Sequence, residues 1–343
     1  MLTKRSNSIS RNFKLRTYII LFVLPILAML FSLFMGRMVI PVPVIISSAL
    51  SKIGFGSAAE VAIEKVLWTI RFPRILLASL AGIGLSLAGL SFQSLFANPL
   101  ATPDTLGVAS GASFGACLGI LMGFSLRGIQ VAALIFGLAA VSLTWICGKQ
   151  KGRGTTAIVL SGIIIGSLFN ALVSLVKYVA DTETQLPSIT YWLMGSMSGK
   201  GYSTLALGSP VIVLGAVILF LLRWRLNILP LSDDEAKASG TDIRKLRIAV
   251  IVVATALTAS CVSMCGQIGW VGLIVPHICR MALGNSHEKL VPSSVSIGAT
   301  FLVIVDTLSR TISTAEIPIS VLTALVGAPF FIFLMRKNGG WTL

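Results

Sequence analysis

Charge is what this sequence has least of. Only 11% of its 343 residues are Asp, Glu, Lys or Arg, against roughly a quarter in soluble domains, too few to cover a water-facing surface. Histidine is nearly missing: His277 and His287 stand alone, and no HExxH pattern occurs. No GxxxxGK[ST] phosphate loop is present. Gly148-Lys149 and Gly199-Lys200 lack the glycine spacing and the hydroxyl, so ATP hydrolysis by this chain itself is not expected. No nucleophile, base and orienting acid converge in sequence, and nothing calls for an enzyme, a cofactor or a metal site. The five cysteines, Cys117, Cys147, Cys261, Cys265 and Cys279, all lie in or beside apolar runs, which argues against a disulfide framework. Cys261 and Cys265 are one helical turn apart but lack nearby His or acidic ligands, and read as small apolar residues. Acids are also sparse inside the apolar runs. Of twelve, only Asp306 falls within one, and Arg310 sits a turn away as an i,i+4 partner. Proton-coupled pumps bury several ionisable groups along a path, so energy for any transport is expected from another subunit.

What is abundant is apolar length. Apolar residues make up 55% of the chain and come in runs of about 20, the length that crosses a bilayer as a helix. The stretch Tyr18 to Met35 carries no charge at all. Barrel strands would alternate polar and apolar residues, and these runs do not. The expected architecture is all-α: a polytopic membrane helix bundle of about ten spans, one transmembrane domain over 1–343 with 1–16 as a cytoplasmic tail. The spans are placed at 17–35, 73–96, 106–125, 129–147, 156–178, 203–222, 246–264, 268–283, 290–309 and 318–335. The basic start and first apolar run look like a signal peptide, but no small-residue cleavage site precedes Arg37, so an uncleaved first span is expected. The net charge of +15 reads as loop charge that meets lipid and orients the chain, not as a nucleic-acid surface. With the N-terminus inside, 18 of the 27 bases fall on the cytoplasmic side, which puts both termini there. Gly111, Gly115, Gly119 and Gly123 repeat every four residues, and Gly162 and Gly166 repeat the device, predicting closely packed helix faces. A weak internal echo pairs Glu183 to Pro187, ahead of Gly195, with Glu316-Ile-Pro318, ahead of Gly327.

Two segments break the apolar pattern. In 231–240, Ser232 and Glu235 fit a capping box, Asp233, Asp234 and Glu235 sit at a positive helix end, and Gly240 can stop the helix. A short exposed helix there can pass force from a cytoplasmic partner; a solvated loop helix with no partner fits equally. In Gln93 to Asp104, Pro99 and Pro103 interrupt helical bonding, and Asn98 offers a side-chain amide to the carbonyls this frees. Irregular backbone at membrane depth survives when buried in protein or lining a water-filled path; an ordinary cytoplasmic turn fits these residues as well.

An ordered set of motifs then resembles the FecCD family of ABC-importer permeases, which includes transporters of ferric siderophores, haem and vitamin B12. The set comprises Arg71-Phe-Pro-Arg74, the glycine-rich run to Gln93, and Asn98-Pro-Leu-Ala101 with Pro103, Gly107 and Ser110-Gly-Ala112. It continues with Gly269 to Arg280, Asp306 with Arg310, and Glu316-Ile-Pro318 leading to Gly327 and Pro329, covering roughly residues 60–335. The resemblance implies the type II ABC-importer permease fold, in a bacterial plasma (inner) membrane. It implies pairing with a second permease, identical or homologous, two copies of a cytoplasmic ATPase subunit, and an extracytoplasmic substrate-binding protein. Residues 231–243, with Ser232, Asp233, Asp234, Glu235, Ala236, Ala238 and Gly240, match the family's ATPase-coupling helices. Arg71, Arg74 and Arg310 match outward-facing arginines that dock the binding protein, though Arg310 also fits simple neutralisation of Asp306. Asn98 and Leu100, with Thr155 and Thr156 opening the fifth span, match positions near the cytoplasmic gate, and that span would line the path. His277 beside Pro276 reads as structural. The cargo implied is an iron complex, a ferric siderophore first, with haem or cobalamin as alternatives. Two rivals of other classes are an ion-coupled secondary transporter and a non-transporting membrane scaffold.

Overall fold

The structure, a computed structural model, describes residues 2–36, 38–55, 60–148, 155–231, 235 and 240–337, the side chains of 2–15, 155, 156, 335 and 337 excepted. Among the described residues every regular element is a helix. Helix α1 (Leu2–Phe34) contains the first apolar span, Arg16–Phe34. A short helix α2 (Val42–Lys52), not expected from sequence, starts behind Pro41 and packs Ile45 against Leu67 and Trp68. The second span is longer than expected. Helix α3 (Val61–Lys65), a π-helical turn (Val66–Arg71) and α4 (Phe72–Leu95) form one apolar stretch of 35 residues, not 73–96. Pro73 offers no N–H to the turn before it, and the helix widens into the π form just ahead of that residue.

After a 3₁₀ turn (Pro103–Leu106) come α5 (Val108–Leu121), α6 (Leu126–Gly148) and α7 (Thr155–Val179). Helix α8 (Gln185–Leu193) is short; α9 (Tyr202–Leu222) leads into a second 3₁₀ turn (Arg225–Ile228). The remaining spans are α10 (Ile243–Cys265), α11 (Val271–Leu283), α12 (His287–Thr311) and α13 (Ile319–Lys337). All ten expected spans thus have a helix, but not of equal length. At 1.5 Å per residue, the 14 residues of α5 and 13 of α11 reach only about 20 Å, short of a hydrocarbon core of roughly 30 Å. Each is preceded by irregular chain, the 3₁₀ turn before α5 and residues 266–270 before α11.

Burial sorts the helices into an inner and a peripheral set. The apolar window of α3–α4 is 83% buried and those of α10 and α12 72%, while those of α1, α6, α7 and α9 are 11 to 28% buried. Helix α4 is central because its small residues let backbones meet. A Cβ on Gly82 would fall on the Gly298 carbonyl of α12, and one on Gly89 on the Gly272 backbone of α11. The Ser86 hydroxyl adds a bond to the Ser294 carbonyl at 2.8 Å. The predicted glycine face of α5 meets α6 through Gly111 and Gly115, whereas Gly123 lies beyond the helix and reverses the chain at φ +70°. Gly162 of α7 takes the Thr105 carbonyl of the 3₁₀ turn, and Gly166 lies beside Gly107. The two echo segments touch: Ile319 N–H donates to the Gly195 carbonyl at 3.1 Å.

Candidate functional site

At the end of the bundle where α1 stops, three arginines meet two acids. Arg74, near the start of α4, makes a two-sided fork. Its Nε and Nη2 donate to Asp306 of α12 at 2.9 to 3.1 Å, and Nη1 and Nη2 donate to Glu316 at 2.9 and 3.0 Å. Arg310, one turn beyond Asp306, lies with its Nε 3.8 Å from that carboxylate and donates to the Met35 carbonyl and Ser32 Oγ at 2.6 and 2.7 Å, and to the Ser32 carbonyl. Arg71, the last residue of the π turn, donates to the Leu33 and Phe34 carbonyls at 2.6 and 3.4 Å, and to the Met38 carbonyl. A helix C-terminus leaves unpaired carbonyls and carries partial negative charge. Arg71 and Arg310 thus supply both the donors and the positive charge that close α1. Gly36 makes room: a Cβ there would sit 2.5 Å from the Arg71 guanidinium.

These are the three arginines expected to face outward. All are buried, at 5 to 7% exposure; Arg74 is bonded to the two acids, and the terminal nitrogens of Arg71 and Arg310 to carbonyls within the chain. The self-neutralising Asp306–Arg310 pair is secondary to the Arg74 fork. Glu316 stands in the Glu316-Ile-Pro318 motif, but no local spacing announces its bond to a residue 242 positions away.

At the opposite end of α4 the helix closes with a left-handed residue. Ala97 takes φ +46°, and Asn98 N–H reaches back to the Gln93 carbonyl at 3.0 Å, a closure that usually recruits glycine. Asn98 acts differently from expectation. Its Oδ1 accepts from the Leu100 N–H at 2.9 Å, holding the turn rather than supplying an amide to freed carbonyls. Asn98 and Leu100 are both exposed. Gln93 anchors the turn: its Nε2 donates to the Gly272 carbonyl at 3.1 Å and its Oε1 accepts from Arg280. Thr155 and Thr156 open α7, but their side chains lie outside the described residues. So do Ser232, Asp233, Asp234, Ala236 and Ala238. Within that segment Glu235 is helical and exposed, and Gly240 takes φ +71°. Two residues on, Asp242 caps α10 by accepting from the Lys245 N–H at 3.2 Å, a bond that holds its carboxyl below the usual range. His277 packs against the rings of Phe330 and Phe331. Among the described residues no three His, Cys, Asp or Glu come together to hold a metal.

Among the described residues, seven helices long and apolar enough to cross a membrane, together with shorter apolar helices and with α4 buried at the centre, define a polytopic helical membrane protein. The chain belongs to the FecCD transport family, whose profile matches residues 23–337. It is 44% identical over 275 residues to the molybdate import system permease protein MolB of Haemophilus influenzae, 80% of this chain and 82% of that one. It is 36% identical over 277 residues to the cobalamin import system permease protein BtuC of Halobacterium salinarum, 80% of this chain and 74% of that one. A solved structure described as an inward-facing conformation of a metal-chelate type ABC transporter superposes with a TM-score of 0.85 at 39% identity, over 94% of this chain and 99% of that chain. This chain is an ABC-importer permease with multiple membrane-spanning helices.

Proposed function

We propose that the chain forms half of a translocation path for a metal complex, a ferric siderophore in the first instance. A second permease completes the path, two cytoplasmic ATPase subunits drive it, and an extracytoplasmic binding protein delivers the cargo. The observation that carries the chelate reading is the likeness, along nearly the whole chain, to a metal-chelate type transporter. The path runs beside α7. That helix has no charge before Lys177, and its exposed face carries Ser167, Asn170 and Ser174 among Leu160, Ile163, Ile164, Leu168 and Leu175. An amide facing hydrocarbon is costly and one facing a water-lined path is not. A bulky chelate is served by such a wall, which touches without holding.

The turn at Asn98 and Leu100, with Thr155 and Thr156, forms the cytoplasmic gate, and residues 231–243 receive the ATPase stroke. Both termini are then cytoplasmic, in a bacterial plasma membrane. The binding protein docks at the Arg74 end, where Arg71, Arg74 and Arg310 order the rim from beneath. A second cargo, molybdate, is favoured by the 44% identity to a molybdate permease. The test reconstitutes the chain with its ATPase and binding protein in proteoliposomes and follows uptake of an iron-55 siderophore complex and of molybdate. ATP-dependent uptake of the iron complex alone supports the first reading. Uptake of molybdate alone replaces it with the second.

A further inference from the structure

A buried histidine bridges the turn that precedes the segment proposed to receive the ATPase stroke and the last turn of α4, which leads to the proposed gate. The 3₁₀ turn Arg225–Ile228 leads into that segment, and Leu226 and Leu229 fix it in the core at 0 and 2% exposure. Between them Asn227 points its Oδ1 at the first residue of α12. It accepts the His287 backbone N–H at 2.9 Å and lies 2.9 Å from His287 Nδ1. A carbonyl oxygen can only accept, which assigns the ring proton to Nδ1 and leaves Nε2 as an acceptor. Nε2 lies against the Ser94 hydroxyl of α4, whose proton is shared with the Leu90 carbonyl at 2.8 Å. Ser94 is also where the gate turn begins: its carbonyl accepts from Ala97 N–H at 3.4 Å, and Asn98 follows directly. The His287 ring, 6% exposed, therefore touches the approach to the coupling segment on one side and the last turn of α4 on the other.

We propose that His287 is a positioning residue that carries displacement of the coupling segment to the Asn98 turn. This rests on the ATP-driven reading above. Packing alone explains a buried histidine with two partners, but not why those partners are the two elements that must move together. Hydrogen bonds at both ring nitrogens make the link directional, and the buried leucines on the turn stop it from slipping.

The test uses the complete importer in proteoliposomes, measuring on one preparation ATP hydrolysis and uptake of whichever cargo, iron-55 siderophore complex or molybdate, the uptake assay above selects. Asn227→Ala removes the acceptor for both His287 donors. ATP consumed per cargo imported is expected to rise roughly tenfold, the range of an ordinary coupling between sites, with binding-protein affinity unchanged. Asn227→Asp keeps an acceptor oxygen and is expected to restore most of the ratio. Ser94→Ala, which deletes one hydroxyl on the far side of the ring, should move the ratio the same way and serves as the deciding variant where Asn227→Ala does not fold. Hydrolysis and uptake falling together, or an unchanged ratio, overturns the proposal. Uptake by the unaltered importer without ATP instead overturns the ATP-driven reading beneath it.

Discussion

Arg74 satisfies two carboxylates with one planar side chain, and no other cation has the shape to replace it. A lysine could pair with Asp306 or Glu316 as a point charge but could not bridge both. Arg74→Lys is expected to lower the melting temperature in detergent. Arg74→Ala, which leaves Asp306 buried with only Arg310 at 3.8 Å, should cost about 3 to 5 kcal/mol and remove most folded protein. Size-exclusion yield and a thermal melt check both. Ala97 is the reverse case, a residue the fold tolerates at φ +46° at a cost of about 1 kcal/mol for its Cβ. Ala97→Gly is expected to recover up to that amount, seen as a higher melting temperature. At this scale the sequence was partly legible. Asp306 with Arg310 could be read because helical neighbours lie four apart. The stronger Arg74 partners could not, because separations of 232 and 242 residues leave no local pattern. Asn98 was found by the prolines around it, but its partner depended on the turn those prolines made.

Among the elements, span number was legible and span length was not. Apolar content marks a segment as buried or lipid-facing, yet it cannot say where helical bonding stops. The expected 106–125 and 268–283 therefore absorbed chain that is irregular before α5 and α11. The second span erred the other way, since Arg71 and Arg74 look like a membrane boundary until they are seen paired inside the bundle. The glycine pattern predicted close packing and named faces of α5 and α7 correctly, without naming their partners. The tightest crossings lie instead on α4, at Gly82 and Gly89. A side chain at Gly89 would meet backbone atoms of Gly272, which cannot swing aside as a side chain can. Gly89→Val is therefore expected to abolish correctly folded protein, while Gly123→Ala, with open space around it, should cost only the left-handed strain of about 1 kcal/mol. Comparing detergent-stable yields separates the two.

For the whole molecule, two distributions bear on the orientation proposed for the chain in the bilayer. Burial gathers α4, α10 and α12 inside, leaving the long exposed faces of α1, α6, α7 and α9 for lipid, a second permease or the path. Basic residues divide two to one between the ends. Part of the minority side is explained by chemistry other than topology: Arg71, Arg74 and Arg310 are internal counter-charges for acids and carbonyls, and do not report on which side of the membrane they lie. Removing them from the count strengthens the bias on which the proposed cytoplasmic placement of both termini rests. The cysteines provide the measurement. Four are buried and Cys147 is exposed, close in sequence to Lys149, Lys151 and Arg153, bases that the proposed orientation assigns to the inside. A membrane-impermeant maleimide should label inside-out vesicles and leave right-side-out vesicles unlabelled, with Cys147→Ser abolishing the signal. Labelling of right-side-out vesicles that disappears in Cys147→Ser would invert the bundle, and with it the ends assigned to the gate and to the binding protein.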